Sequence, residues 1–231
     1  ASRETARRDV GTVKCASGVA RDVQPTLRRA GGFALVGTIS VTAPVLGRAA
    51  FVPFAAVALL AAFVITDGPL FDLFARPSDH REGRLNGLTG FALAAAGLAI
   101  LATELGLPID LFVASVFVLS YGNLGKRLVA EASDEPFLGT AGFGVAGSAA
   151  GFAGQAGVAS LTSSPIVAPR FAFLAVAGAL VAALFREMLF ERDDPLVMLS
   201  AGLLLWLFDS LAVSVGVVDI GAALAVTVAL G

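Results

Sequence analysis

From residue 31 to its last residue the chain repeats one pattern: an apolar run, a short polar interruption, then another apolar run. The runs fall near 31–47, 49–66, 86–103, 108–122, 137–159, 171–189, 196–213 and 217–231. A helix rises ~1.5 Å per residue and the hydrocarbon of a bilayer is ~30 Å thick, so about 20 residues cross it. The runs are adequate to slightly short, with 108–122 the shortest. The pattern predicts an all-α protein, a polytopic transmembrane helical bundle of about seven to eight spans over residues 31–231. The eighth run is still apolar at Gly231, which implies that the membrane domain is incomplete at its C-terminus.

Composition agrees. Hydrophobic residues make up 57% of the chain and charged residues 15%, with a mean hydropathy of +0.85, far from a soluble average. A net charge of -2 gives no basic surface for a phosphate backbone, which excludes nucleic acid as a partner. Cys15 and His80 are each the only residue of their kind, so there is no intrachain disulfide, no multi-thiolate zinc site and no paired-histidine metal motif.

Residues 1–30 hold Arg3, Arg7, Arg8, Lys14, Arg21, Arg28 and Arg29 and no apolar core of a signal peptide. They read as a polar cytosolic tail; a basic tail can also attract anionic lipid at ~1 kcal/mol per charge. Basic residues are retained on the cytoplasmic side during insertion. With the tail inside, the inner connections 67–85, 123–136 and about 186–195 carry Arg76, Arg81, Arg84, Lys126, Arg127, Arg186 and Arg192, while the outer ones carry only Arg48 and Arg170. Fourteen basic residues are then inside and two outside. The expectation is a multi-pass protein of the cell membrane with a cytoplasmic N-terminus.

In 137–159 seven glycines occupy one predicted helix. In water each would cost ~1 kcal/mol against alanine, but in lipid small residues let helices approach closely, and Gly147 and Gly151 form a GxxxG pair extended by Gly154. This predicts a packing helix at the centre of the bundle. The functional alternative is that Gly139, Gly142 and Gly144 bring backbone N–H groups to a phosphate. Gln155, polar within that span, predicts an interhelical hydrogen bond. Asp209 is an acid within a span near the outer side and must face protein, water or the interface, or be protonated.

The inner connections gather the remaining chemistry. Asp67, Asp72, Asp79, Asp193 and Asp194 are candidate metal ligands, because carboxylates hold Mg2+ through one or two oxygens. Arg76, Arg84, Lys126 and Arg127 are candidate phosphate-binding residues for transfer to a lipid-borne acceptor. The competing reading is that inner loops need Arg and Lys for topology, and that their neighbouring acids form exposed ion pairs worth only ~0–1 kcal/mol.

The segments FALVGTISVTAPVLG, DGPLFDLFARPSDHREGRLNGLTGFALAAAGLAIL, YGNLGK, GTAGFGVAGSAAGFAGQ and FERDDPLVMLSAGLLLWLFDSL resemble the N-terminal membrane half of archaeal proteins carrying domain of unknown function 92. The similarity runs from about residue 28 onward. That family is grouped with plant phytyl-phosphate kinases and, more distantly, with polyprenol kinases and lipid cytidylyltransferases. The resemblance implies CTP- and Mg2+-dependent phosphoryl or nucleotidyl transfer to isoprenoid lipids, with membrane lipids and an isoprenoid phosphate as partners. The acidic signatures of those enzymes, G-D-T-x-A-S-E and G-D-x-x-A-x-x-x-G, are absent. The nearest segment, Tyr121 to Arg127 followed by Gly139 to Phe143, is similar to a kinase-type G-D...G-K-R...G-T...G-F arrangement with Asn123 where the acid would stand. An amide does not neutralise Mg2+, so no cofactor is evident in this chain, and the resemblance implies a catalytic region beyond Gly231. The expected function is the lipid-access or scaffold half of a CTP-dependent prenyl-phosphate kinase. The alternative is a transporter or permease-like component, which would place its polar site near the midplane.

Overall fold

The computed structural model describes residues 27–133, 136–188, 194–211, 221–222 and 225–226. Among these the chain is helical throughout, without strands. The first helical run, α1 (27–46), starts four residues before the expected boundary and tightens to a 3-10 turn over Ile39–Thr42. Gly47 ends it with φ 52°, a left-handed value suited to glycine. A 3-10 turn, Gly47–Phe51, then leads into α2 (Val52–Phe63), with Pro53 in its first turn. The break between the first two apolar runs is therefore where the sequence puts it.

Two short helices follow, α3 (Gly68–Phe74) and α4 (Pro77–Glu82), each with a proline in its first turn. The longer helices are α5 (Asn86–Glu104), α6 (Ile109–Ala132), α7 (Pro136–Leu161), α8 (Ala168–Met188) and α9 (Asp194–Ser210). The polar connection expected over 67–85 is thus largely helical. Nearly all of the run 217–231 lies outside the described residues, as does the tail before residue 27.

Two expectations need correction. The shortest apolar run, 108–122, becomes a helix of 24 residues, and most of the connection expected at 123–136 is its last three turns. Nothing between Tyr121 and Ala132 breaks a helix: Lys126, Arg127 and Glu131 are good helix formers, and Gly122 and Gly125 face α7. The central helix is likewise α6 and not the glycine-rich α7. Every residue from Leu111 to Ser120 is buried, because α6 packs against α5, α7, α8 and α9.

The glycines of α7 serve this packing. A Cβ on Gly142 would lie 2.7 Å from the Val129 side chain and 2.9 Å from the Gly125 carbonyl oxygen, and one on Gly151 would lie 2.8 Å from Val118. Gly147 approaches Val118 of α6 and Ala179 of α8, and Gly154 approaches Val113 and Phe117. Among the described residues the α6–α7 pairing is the most extensive, as close approach over small residues predicts.

Around this core the outward surface is apolar. Leu35, Val45, Leu59, Phe63, Leu93, Val145 and Leu207 are each at least half exposed, far more contiguous apolar surface than a water-soluble monomer shows. Among the described residues, three helical stretches are long and apolar enough to cross a membrane: the run Leu27–Phe63, which holds α1 and α2, Asn86–Glu104 and Ala168–Arg186. The protein is a helical membrane protein.

Candidate functional site

Charged side chains collect at two opposite ends of the bundle. One end is built from α3, α4 and the beginnings of α5 and α9. Arg76 and Ala75 are extended, Pro77 opens α4, and Gly83 at φ 64° closes it. Leu85, fully buried, anchors the chain before α5. Asp79, 2% exposed, accepts a 2.9 Å hydrogen bond from the Arg76 backbone N–H, so its carboxylate caps α4 at the third helical position. Arg29 of α1 donates to the Ala75 carbonyl oxygen at 3.5 Å, and Phe33 packs edge-on against Phe74 and Phe91, which ties α1 to the same end.

A polar niche of about 140 Å³ opens here, lined by Arg76, Ser78, Asp79, Glu82, Asn86 and Gly87 with Pro195 of α9. Glu82 accepts a hydrogen bond from the Asn86 amide, and the Arg76 guanidinium lies against Gly87, where a Cβ would sit 3.0 Å from Nε. Of the expected phosphate-binding residues, only Arg76 lines it. Arg84 is exposed and Lys126 lies against Gly139 of α7, so Lys126 and Arg127 belong to a different part of the surface. Of the expected metal ligands, Asp79 lines the niche, while Asp67 and Asp72 are exposed outside it. Asp193 lies outside the described residues, as does the side chain of Asp194. Among the described residues, no group of three or more His, Cys, Asp or Glu side chains gathers as a metal site.

A second concavity runs along the bundle. It is an open apolar groove of about 490 Å³ between α6 and α7, with Phe117, Tyr121, Leu124 and Leu128 on one wall and Ala146, Ala149, Ala150 and Ala153 on the other. From Phe117 to Leu128 the wall is ~16 Å long at ~1.5 Å per residue, about the depth of one leaflet's hydrocarbon. The Tyr121 hydroxyl is hydrogen-bonded to Thr38 of α1 at 2.8 Å. Lys126 and Arg127 fall in the same turn of α6 as Leu124 and Leu128 but are not among the residues that line the groove. Deeper in the same region, the Arg186 guanidinium stands 5.7 Å from the Phe143 ring centroid.

At the other end, Asp209 is paired across helices. Arg170 of α8 reaches its Oδ1 at 2.8 Å from both Nε and Nη2, and reaches Asp110 Oδ2 of α6 at 3.1 Å from Nη1. Arg48 and Glu104 form a 3.7 Å pair on the same side of the bundle. Gln155, fully buried, donates to the Phe171 carbonyl oxygen of α8 at 3.1 Å and to Gly151 at 3.3 Å.

Sequence reasoning left Asp209 to face protein, water or the interface, or to be protonated, and named neither Arg170 nor Asp110. The signal was present: all three fall at span borders on the side expected to be outer, and a charge at such a border in lipid needs an opposite charge. No family model, no curated protein and no solved structure matches this chain.

Proposed function

We propose that this chain is a multi-pass protein of the cell membrane whose bundle binds the tail of an isoprenoid phosphate, as the lipid-access or scaffold half of a CTP- and Mg2+-dependent prenyl-phosphate kinase. The observation that carries the reading is the α6–α7 groove. It is apolar, about one leaflet deep and open sideways, and Lys126 and Arg127 stand in the same turns of α6, outside its lining. These cations snorkel toward an anionic headgroup while their stems line hydrocarbon. A midplane transporter site gains less support, because the charged clusters lie at the ends of the helices.

In this reading α1, α2 and α5 to α9 each cross the bilayer. The end bearing Arg29, Arg76 and Asp79 is cytoplasmic, and the end bearing Arg48 and Arg170 is external. Loop contacts support this sorting: Arg48 meets Glu104, and Arg170 meets Asp110 and Asp209, all at borders assigned outside. Asn123, at the position of an expected metal-binding acid, is the reason this reading gives the bundle lipid binding and not phosphoryl transfer.

The test is binding of geranylgeranyl phosphate to the purified protein in detergent. Saturable binding, weakened at least about tenfold by Lys126→Gln with Arg127→Gln or by filling the groove with Ala150→Phe, is expected. Binding no stronger than that of phosphatidylcholine, or indifferent to both changes, overturns the reading. Adding CTP and Mg2+ should yield no lipid diphosphate; turnover would move the chemistry into this chain.

A further inference from the structure

The Asp110, Arg170 and Asp209 cluster has no part in lipid binding at the opposite end, and two of its charges, Arg170 and Asp209, are placed against local preference. Arg170 is the third residue of α8 and Asp209 the last but one of α9. A helix N-terminus carries partial positive charge and a C-terminus partial negative charge, so each sits where its own helix disfavours it. Arg170 also lies on the side where insertion disfavours basic residues. The contact between the two explains both placements. It joins the first turns of α6 and α8 to the last turn of α9, and is neither sealed nor fully wet: the three side chains are 16–36% exposed.

Immediately behind the cluster lies a hydrogen-bond acceptor without a donor. The residue after Arg170 is Phe171, whose carbonyl oxygen receives the Gln155 amide. Gln155 is 0% exposed, and its Oε1 has no hydrogen-bond partner. Both of its made bonds run to carbonyl oxygens, which fixes Nε2 as the donor and leaves Oε1 as the orphan. A buried amide oxygen in this condition is a place for a small hydrogen-bond donor such as water. Small residues let the helices close tightly beside it: Gly151 faces Ala175 of α8 and Val118, and Gly154 faces Val113 and Phe117. The Phe152 and Phe171 rings meet edge-on at 6.4 Å over the same turn.

We propose that Asp110, Arg170 and Asp209 form an ionic latch over a water-binding site at Gln155. With the latch closed, the α7–α8 seam excludes water. With it released, α8 separates from α7 at the outer end, and a small hydrogen-bond donor, water, reaches Gln155 Oε1. The device is a gate on hydration of the bundle interior from the outer side, independent of which lipid the groove takes.

The experiment uses the full chain in detergent, so that orientation in a membrane does not enter. Cys15, the only cysteine, is changed to Ser, and Val158→Cys is introduced one turn from Gln155 at a position 5% exposed. The rate of reaction with a hydrophilic maleimide is the readout. Asp209→Asn and Arg170→Gln should each raise that rate about tenfold, and Asp110→Asn about threefold, as a local opening equilibrium shifted by one lost contact would. Glu104→Gln, which breaks the exposed pair with Arg48, should leave it unchanged. If Arg170→Gln does not accumulate, the two aspartate variants read the same opening. Equal rates in all variants, or equal acceleration by Glu104→Gln, overturn the latch. In Gln155→Leu the latch variants should accelerate labelling less, because no acceptor rewards the open form; full acceleration there removes the water site.

Discussion

At the end proposed to be outer Arg48 and Arg170 each meet acids from another helix, whereas at the end proposed to be inner Arg76 shares a small open niche with Asp79 and Glu82 while Arg81 and Arg84 are exposed. Both ends use arginine and carboxylate. The outer end spends them on contacts between long helices 39 and 60 residues apart in sequence; the inner end spends them on short local turns, as in the three-residue step from Arg76 to Asp79. An insertion rule that counts only basic residues explains the contrast. On the proposed topology the described outer cations, Arg48 and Arg170, are paired with acids, while Arg81 and Arg84 on the inner side are exposed.

The comparison can be broken at several strengths. The largest effect should come from the interface that both ends depend on: Gly142→Leu drives a side chain into Val129 and the Gly125 backbone, and should cost ~3 kcal/mol or prevent accumulation, read as yield and thermal midpoint in detergent. Next, Arg170→Gln should destabilise by about 1–2 kcal/mol, below the cost of breaking a fully buried pair because Arg170 is 36% exposed. Asp79→Ala should cost ~1 kcal/mol through loss of the α4 cap, and should leave the outer end untouched by hydrogen exchange. Arg48→Gln should fall within ~0.5 kcal/mol of the parent, since that pair is exposed. An Arg48 effect as large as that of Arg170 would erase the distinction between a structural and a superficial outer pair.

Much of the bundle was legible because lipid imposes a simple length rule. Gly47, Gly68 with Pro69, and Gly106 with Pro108 interrupt the apolar runs, and helices end or turn at each. The extension of α6 through Lys126 and Arg127 was hidden because charge marks where a chain leaves lipid, and not where its helix stops. The central place of α6 was hidden for a related reason: α7 advertises close packing through its glycines, yet close packing is mutual, and the partner they approach is the one buried on every side. In the candidate site, Asp79 looked like its exposed neighbours Asp72 and His80, and only the fold of α4 buries it. The partners of Asp209 could not be read from any local period, because Arg170 and Asp110 come from distant helices that meet only after the bundle forms.

The central claim is that the bundle lies in a bilayer with its two charged ends on opposite sides. In a Cys15→Ser background, Arg48→Cys and Arg81→Cys can be labelled separately with a membrane-impermeant thiol reagent on intact cells. Reaction at 48 without permeabilisation, and at 81 only after it, is the predicted result; reaction of both positions from the same side would contradict it.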